Sequence, residues 1–313
     1  MELKKQLDNR AHRASDVLMR YMPVQNEYTA EILEAMNYSI SSGGKRLRPV
    51  ILESSYKLFG GHTNLCEPFM AAMEMLHNYS LVHDDLPAID NDELRRGIPT
   101  THAKYGQAVA ILAGDGLLHL SYETALMAFD IADAGAKGAA CDPNAAGTDT
   151  SLVIKALKIF GECSGLNGMF GGQSTDVINT GRDIDDKMMD YIHEHKTGAL
   201  IEGSLMIGGV LAGANDLELN DLKKIGKYVG MAFQIRDDIL DEIGDEAVIG
   251  KPTGSDDRNN KKNYISVYGM DKAICDVKDY TDKACDLVMG LGCDDEERQF
   301  LTALFKSLVV RDN

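Results

Sequence analysis

Apolar residues recur every three or four positions over most of this chain, which is the period of an amphipathic helix. The longest runs of this kind cover residues 67–85, 107–129, 185–213 and 220–244. Alternation of apolar and polar residues, the pattern of a half-buried strand, is hard to find. The sequence therefore predicts an all-α protein, and we expect residues 1–313 to form one large helical bundle as a single domain.

Three local signals refine this prediction. A stretch of small and polar residues at 132–151 predicts a long connection between helices. Asn220 precedes one apolar run and Gly244 follows it, so both are predicted to cap a helix. Pro87 cannot continue a helix without distortion, so we expect the helix that begins near residue 67 to end at about Asp84 and the chain to bend there.

Composition limits the class of function. The formal net charge is −17, so a nucleic-acid partner is excluded from the prediction, because phosphate backbones attract basic surfaces. The 6 cysteines are scattered without a metal-binding or C-x-x-C spacing, which is typical of reduced thiols in a cytoplasmic protein. No run approaches the roughly 20 apolar residues of a membrane span. We therefore expect a soluble cytoplasmic protein without a signal peptide.

Two acidic segments lie at or near the ends of apolar runs about half a chain apart, DDLPAID at 84–90 and DDILD at 237–241. Asp237 and Asp241 share one helix face, where like charges repel unless a cation lies between them. A bend after Asp84 would bring Asp84 and Asp90 together on one ion. Carboxylate oxygens suit hard cations such as Mg²⁺. A solvated helix end would explain either segment alone, but two such segments favour metal binding.

Basic residues cluster beside small residues, although the chain holds only 32 Lys and Arg. In SSGGKRLRP at 41–49, two glycines permit close backbone approach, and the Lys and Arg side chains match diphosphate oxygens. Further basic turns occur at 95–97, 195–198 and 250–262. His77 lies within about 20° of Asp84 on an ideal helix. A single histidine there is more often a packed core residue, but the clusters together indicate a phosphorylated substrate.

Taken together, these motifs resemble the trans-isoprenyl diphosphate synthases of the polyprenyl synthetase family, most closely the bacterial farnesyl diphosphate synthases. The resemblance extends from GGKRLRP through EMLHNYSLVHDDLPAIDNDELRRGIPTTH, GGQSTD and HKTGALI to GMAFQIRDDILD and GKPTGSDDRNNK, in the order and spacing of the family. It implies an all-α isoprenoid synthase fold of ten or more helices around a deep central cavity, usually in a homodimer.

The resemblance also implies a role for each matched residue. Three Mg²⁺ ions that bridge the allylic diphosphate would be held by Asp84, Asp90 and Asp237, with Asp85 and Asp241 as supports or water-mediated ligands. The diphosphate of isopentenyl diphosphate would be bound by Lys45, Arg48, His77 and Arg96. The allylic diphosphate would be bound by Arg95, Lys196 and Lys251, with Thr197 and Gln234 at the reacting end and Lys261 in a closing basic loop. The implied catalytic residues are Asp84, Asp90, Lys196 and Asp237.

The implied activity condenses isopentenyl diphosphate with dimethylallyl or geranyl diphosphate to farnesyl diphosphate, by Mg²⁺-assisted ionisation of the allylic substrate. In this family the residues four and five positions before the first acidic motif set the product length, and here they are Ser80 and Tyr79. The bulky ring of Tyr79 resembles enzymes that stop at fifteen carbons. The alternatives are a ten- or twenty-carbon product on the same scaffold, or a non-catalytic partner subunit of a prenyl synthase.

Overall fold

The structure is a computed structural model that describes residues 2–24, 27–139, 149–182, 184–243 and 263–309. Most of these residues are α-helical, which confirms the predicted all-α class and the expectation of ten or more helices. In chain order the helices are α1 (Glu2–Arg20), α2 (Ala30–Ser41), α3 (Leu47–Leu58), α4 (Glu67–Asp84), α5 (Thr101–Tyr105), α6 (Gln107–Leu126), α7 (Ala128–Ala139), α8 (Thr150–Ser164), α9 (Met169–Ile178), α10 (Asp186–Ile192), α11 (Ala199–Leu211), α12 (Asp216–Ile243), α13 (Tyr264–Tyr268), α14 (Met270–Met289) and α15 (Asp295–Val309). A π-helix (His193–Gly198) joins α10 to α11, and the two short strands β1 (Leu94–Arg95) and β2 (Ile98–Pro99) pair antiparallel.

The chain divides into two compact units, and along the sequence the boundaries between them fall within α3, between α3 and α4, and within α8. The first unit comprises Met1–Glu53 and Thr63–Leu157, and the second comprises Ser54–His62 and Lys158–Asn313. The single-domain organisation over residues 1–313 stays a prediction. No helix of the described ranges combines the length and the apolar character that crossing a bilayer requires.

In the first unit, α4 is buried on nearly all sides. Phe69, Met73 and Leu76 have no exposed surface, and α4 packs chiefly against α6, with α1 and α2 as further neighbours. A helix that is apolar all round belongs in a core. The helix ends at Asp84, before Pro87, as the sequence predicted. The packing therefore fixes the positions of all the side chains that α4 contributes to the candidate site.

In the second unit, the long helix α12 packs against α11, α14 and the π-helix. Glycines permit the closest of these approaches. A Cβ atom on Gly230 would lie 2.5 Å from the Cα atom of Gly198, so any larger residue would push α12 away from the π-helix. After Gly230 along α12, Met231, Ile235 and Ile239 are buried with Tyr264 of α13. Close packing therefore fixes α12 beside the Lys196 segment.

Several boundaries that the sequence predicted are wrong. The run 107–129 is divided between α6 and α7, and the run 185–213 is divided by the π-helix. Asn220 lies inside α12, because Asn215 caps that helix instead, its side-chain oxygen accepting hydrogen bonds from the backbone N–H groups of the two residues that follow Asp216, at 2.9 and 3.1 Å. The predicted cap Gly244 lies outside the described residues.

The predicted connection at 132–151 is also partly helical. Helix α7 continues through Ala139, and α8 begins at Thr150. The sequence predicted a loop because the segment is rich in glycine. Alanine is the strongest helix former, however, and the alanines favour a helix up to Ala139. The part at 140–148 lies outside the described residues.

Candidate active site

The first acidic motif turns back on itself directly after α4. The backbone N–H of Asp90 donates a hydrogen bond of 2.9 Å to the carbonyl oxygen of Asp84, and the N–H of Asn91 bonds to the carbonyl of Leu86 at 3.1 Å. Asn91 adopts a positive φ of 53°, a conformation that asparagine tolerates better than most residues. The backbones of Asp84 and Asp90 thus meet, as the predicted bend requires, and both side chains are partly exposed.

Asp85, the residue after Asp84, is buried against Arg95. The Nε atom of Arg95 lies 2.9 Å from each carboxylate oxygen of Asp85. Burial lowers the pKa of Arg95, but the hydrogen bond and charge of Asp85 outweigh burial, and the net shift of this pKa is upward. Arg95 therefore stays charged. This contact fits a supporting role for Asp85 better than direct ligation of a metal ion, because both oxygens are already engaged.

Arg96 connects the hairpin of β1 and β2 to the first basic motif. Its Nη1 atom donates to the carbonyl oxygen of Gly43, and a Cβ atom on Gly44 would lie 3.0 Å from the same nitrogen. Gly44 also has a φ of 127°, which side chains disfavour. Both glycines before Lys45 are therefore favoured by their positive φ, and at Gly44 the guanidinium group of Arg96 leaves little space for a side chain.

His77 lies in the middle of this basic cluster. Burial lowers its pKa well below the ordinary value, and the charges of Arg48 and Arg96 lower it further. Burial likewise lowers the pKa of Arg48 to about 10. The structure thus brings His77, Arg48 and Arg96 together, and Lys45 is exposed on the turn that precedes α3. Crowded positive charge beside a neutral imidazole favours an anion of high charge as the ligand.

Arg46, in contrast, points into the core. Its Nη1 atom donates to Glu74 Oε1 at 2.8 Å, its Nη2 atom to the carbonyl of Ile40 at 2.6 Å, and its Nε atom to Ser15 Oγ at 3.1 Å. The sequence could not separate Arg46 from its neighbours in GGKRLRP, because alternation along a loop does not reveal which side chain faces inward. Arg46 is a structural residue that anchors the motif.

In the second unit, the GGQSTD segment positions Lys196. Asp176 Oδ2 accepts a hydrogen bond from Lys196 Nζ at 2.6 Å. A Cβ atom on Gly172 would lie 2.2 Å from the backbone nitrogen of Lys196, so only glycine lets α9 approach the π-helix so closely. Asp176 was not assigned a role from the sequence, although it belongs to a motif that carried the resemblance.

The π-helix directs Thr197 toward the second acidic motif. Thr197 Oγ1 donates to Gln234 Oε1 at 2.8 Å, and Gln234 Nε2 donates to Asp238 Oδ1 at 3.0 Å. The other oxygen of Asp238 accepts from the backbone N–H of Tyr264 at 2.8 Å. A π-helix widens the turn, and such segments are frequent at functional sites. The network fixes Gln234 and Asp238 on one side of α12.

Asp238 is buried, whereas its neighbours Asp237 and Asp241 are partly exposed on another side of α12. Within the ranges described, no three acidic, histidine or cysteine side chains form a metal site by themselves. Mg²⁺ commonly takes only one or two protein carboxylates and completes its shell with phosphate oxygens and water. The hard carboxylate oxygens of each motif therefore fit Mg²⁺ that is shared with a diphosphate.

His193 in the π-helix is buried and electrically neutral. Only 7% of its surface is exposed, and its Nδ1 atom has no hydrogen-bond partner among the described residues. Its Nε2 atom lies 3.8 Å from Asp238 Oδ2. Burial lowers the pKa of His193 to about 4, because the nearby charges of Asp190 and Asp176 offset only part of the cost of burying a charge.

This depressed pKa predicts a loss of stability in acid. The unfolded chain binds the proton near pH 6.5 and the folded chain only near pH 4, so the free energy of unfolding falls as the pH drops through that window. The loss amounts to ~3 kcal/mol. We expect His193→Phe, which keeps the ring but cannot titrate, to lack this loss when urea unfolding is measured between pH 7 and pH 4. Parallel pH profiles of the two proteins would contradict the assignment.

The remaining predicted site residues lie elsewhere or outside the description. Tyr79 is buried on α4, and Ser80 is partly exposed beside it, with its hydroxyl donating to the carbonyl of His77 at 2.9 Å. Lys251 and Lys261 lie outside the described residues. The roles of all these residues stay predictions, whereas the clusters that hold Arg95, Arg96, Lys196 and Thr197 are observed.

Comparisons with known proteins agree with these features. The chain matches the model of the polyprenyl synthetase family over residues 29–286. It is 36% identical over 316 residues to the farnesyl diphosphate synthase of Escherichia coli (strain K12), covering 100% of each chain. It is also 36% identical to the chloroplastic geranylgeranyl pyrophosphate synthase of Catharanthus roseus, over 90% of this chain and 74% of that one.

Solved structures give the same result for the fold. The crystal structure of an FPP/GFPP synthase from Zymomonas mobilis superposes with a TM-score of 0.81 at 28% identity, covering 99% of each chain. The family model spans most of this sequence, and a curated relative matches its whole length. This chain therefore belongs to the polyprenyl synthetase family.

Proposed function

We propose that this chain is a prenyltransferase that condenses isopentenyl diphosphate with dimethylallyl and then geranyl diphosphate to give farnesyl diphosphate. One observation carries the proposal. In the first unit, the neutral His77 lies among Arg48 and Arg96, and the same helix ends in the turn that joins Asp84 to Asp90. A cationic diphosphate site and a carboxylate site thus share α4. The family match and the relatives described above support the same class of reaction.

The basic residues divide between the two diphosphates. Lys45, Arg48, His77 and Arg96 bind isopentenyl diphosphate, and Arg95, Lys196 and Lys251 bind the allylic diphosphate. Lys196 is held by Asp176 before substrate arrives, so binding exchanges a carboxylate for a phosphate oxygen. Thr197 and Gln234 line the reacting end, and Lys261 belongs to the loop that closes over the phosphates. Because both substrates are held side by side in one site, their bimolecular reaction becomes effectively an intramolecular step.

Asp84, Asp90 and Asp237 would hold Mg²⁺, three ions in our proposal, with Asp85 and Asp241 in supporting positions. When bound, the metal neutralises the diphosphate leaving group, which is otherwise a poor one. The allylic carbon–oxygen bond breaks, and its electron pair leaves with the diphosphate. The double bond of isopentenyl diphosphate then attacks the allylic carbon, and a proton passes to the released diphosphate. Cleavage leaves an allylic carbocation, and exclusion of water from the site prevents water from reacting with it.

The decisive assay incubates the purified protein with MgCl₂, isopentenyl diphosphate and either dimethylallyl or geranyl diphosphate, and sizes the dephosphorylated products by mass spectrometry. We expect farnesol as the main product from both primers. Absence of any prenyl product would refute the proposed activity and leave the partner-subunit alternative. Geranylgeraniol as the main product would support the proposed reaction but correct the product length to twenty carbons. The plant relative described above is named for that product.

The product length is proposed to depend on Tyr79, which is 9% exposed on α4 one turn before His83. Replacing this ring with a methyl group opens space for a longer prenyl chain. One added isoprene unit is as large as several methylene groups, so the loss of the ring should change the selection of product length strongly. We expect Tyr79→Ala to raise the twenty-carbon fraction at least about tenfold. The conservative variant Tyr79→Phe serves as the control and should keep the parental length. Unchanged products from Tyr79→Ala would reject this role.

We also propose that the protein is a homodimer that associates through α6. This helix is apolar on two faces. One face, with Ala110, Ala113 and Leu117, is buried against the unit, while the other exposes four apolar side chains. These are Ile111, Leu112, Tyr122 and Leu126. They fall within about 100° on the helix surface. A second copy of the chain would cover such a stripe.

The oligomeric state tests this surface. We expect light scattering after size exclusion to give the mass of two chains for the parent and of one chain for Leu112→Glu, because a buried carboxylate at the interface is costly. Leu217→Glu is the matched control, since Leu217 is more exposed but lies on α12. A dimeric Leu112→Glu would exclude α6 as the interface. Placement in the cytoplasm remains a proposal that rests on the scattered cysteines.

A further inference from the structure

His83, the residue before Asp84, is enclosed on several sides. Its Nε2 atom lies 3.1 Å from the carbonyl oxygen of Ile111 and 3.8 Å from Asp115 Oδ1, both on α6. Its ring meets the ring of Tyr79 edge to face, with centroids 5.2 Å apart and an angle of 80°. His83 therefore fills the space between Tyr79 and the backbone of α6.

Gly114 supplies the space that the ring occupies. A Cβ atom on Gly114 would lie 2.2 Å from His83 Nε2 and 2.4 Å from its Cδ2 atom, so an alanine could not be accommodated without displacement of the ring. Glycine in the interior of a helix destabilises that helix relative to alanine. Its presence inside α6 is explained by the close approach of the imidazole, which lies directly on the helix backbone.

Tyr79 is confined by this arrangement. It lies four residues before His83 on α4, so the two rings share one helix face. With the His83 ring seated against Gly114 and bonded toward Ile111, the space into which the Tyr79 ring could swing toward α6 is occupied. The His83 ring therefore limits the positions open to the Tyr79 ring, and the absence of a side chain at Gly114 provides the space for the His83 ring.

We propose that His83 and Gly114 are positioning residues for product length, because they hold the Tyr79 ring as the wall against which the growing prenyl chain stops. The proposal rests on the proposed function and extends the specificity determinant from one residue to a unit of three. His83 acts through Tyr79 and does not contact the reacting atoms. The readout is therefore the ratio of product lengths, which a general loss of turnover leaves unchanged.

Two replacements of His83 separate ring volume from other effects. In His83→Ala the vacated space lets Tyr79 withdraw, and we expect the ratio of twenty- to fifteen-carbon product to rise about tenfold. In His83→Phe an aromatic ring remains, although the hydrogen bond to the Ile111 carbonyl is lost. The ratio of twenty- to fifteen-carbon product should therefore stay within about twofold of the parent. If His83→Ala does not fold, as judged by circular dichroism, His83→Val makes the same comparison.

Gly114→Ala tests the opposite direction. The added methyl group pushes the imidazole away from α6 and against Tyr79, so we expect the ratio of ten- to fifteen-carbon product to rise several-fold. In the double variant Gly114→Ala with His83→Ala, this effect should disappear, because no ring remains to transmit the displacement. Such non-additivity is the mark of residues in direct contact.

The possible failures are distinguishable. A parent protein that forms no prenyl diphosphate refutes the proposed function itself. A parent that forms farnesyl diphosphate, together with variants of His83 and Gly114 that change total turnover but not the product ratio, overturns only the inference, since these residues would then have a structural role alone. An effect of Gly114→Ala that persists without the His83 ring would also overturn it.

Discussion

Asp84→Asn is expected to abolish turnover while leaving the fold intact. The substitution removes one of the oxygens proposed to hold Mg²⁺ and replaces a charge with a neutral amide of the same shape. We expect kcat/KM for farnesyl diphosphate formation to fall about 10³-fold, equivalent to ~4 kcal/mol of transition-state stabilisation. The Asp84→Ala variant should behave alike. Steady-state assays across a range of MgCl₂ concentrations provide the measurement.

Folding should not suffer, for an electrostatic reason. Asp84 is the last residue of α4, where the partial negative charge of the helix dipole makes a carboxylate unfavourable. Asp85 and Asp90 add further negative charge nearby. The charge of Asp84 also raises the pKa of Arg95, and this attraction offsets part of the repulsion. Removing the charge of Asp84 should therefore leave the thermal midpoint nearly unchanged.

Glu93→Gln is the matched control for this experiment. Glu93 lies three residues after the same motif, and Glu93→Gln removes the same charge, but the Glu93 side chain is exposed and has no proposed role at the metal. We expect its activity to stay within about threefold of the parent, because an exposed charge contributes little through solvent. Retention of more than a tenth of the activity by Asp84→Asn would remove Asp84 from the metal site.

Sequence reasoning was most successful where one side chain or one helix period decides the outcome. The end of α4 at Asp84 follows from Pro87, whose ring cannot continue a helix. The common helix of Asp237 and Asp241 follows from apolar periodicity. Both are local effects, determined within a few residues of the chain, and no distant partner is needed to predict them.

Partners that are distant in sequence could not be predicted in this way. Asp85 belongs to an acidic motif, yet it is buried as the partner of Arg95. Lys196 depends on Asp176, which is 20 residues away. The sequence supplied the correct charges in each case, but the choice among several carboxylates depends on which helices pack together. Packing of that kind is determined by the whole core.

The π-helix is a second feature that periodicity did not predict. Apolar positions before and after residues 193–198 fit one continuous helix, and a single widened turn changes the phase too little to be recognised. Its effect on the candidate site is large, because Lys196 and Thr197 reach partners on two different helices, α9 and α12. Gly198 and Gly230 permit the close approach of the π-helix to α12, but neither glycine in the sequence indicates a widened turn.

Arg46→Met is expected to produce the largest loss of stability in the first unit. Glu74 is 4% exposed, and its Oε1 atom accepts a 2.8 Å hydrogen bond from Arg46, so removal of the guanidinium leaves a buried carboxylate without its hydrogen-bonded cation. Only the longer-range charges of Arg48 and Arg96 then act on Glu74. Breaking one partner of a buried pair costs about 3 to 5 kcal/mol. The carbonyl of Ile40 loses its donor as well. Urea unfolding at pH 7 should show this loss as a lower midpoint.

Two further variants determine whether the buried pair is responsible. In Arg46→Met with Glu74→Leu, both charges are replaced by apolar groups, and we expect much of the lost stability to return, since a buried ion pair is close to neutral against an apolar pair. Lys278→Met, which breaks an exposed ion pair with Asp282, should leave the midpoint unchanged. If the double variant is as unstable as Arg46→Met alone, the unpaired charge of Glu74 is not the cause. The stability would then depend on the hydrogen bonds of Arg46 to Ile40 and Ser15, which anchor the turn that carries Lys45 and leads into α3, the helix of Arg48.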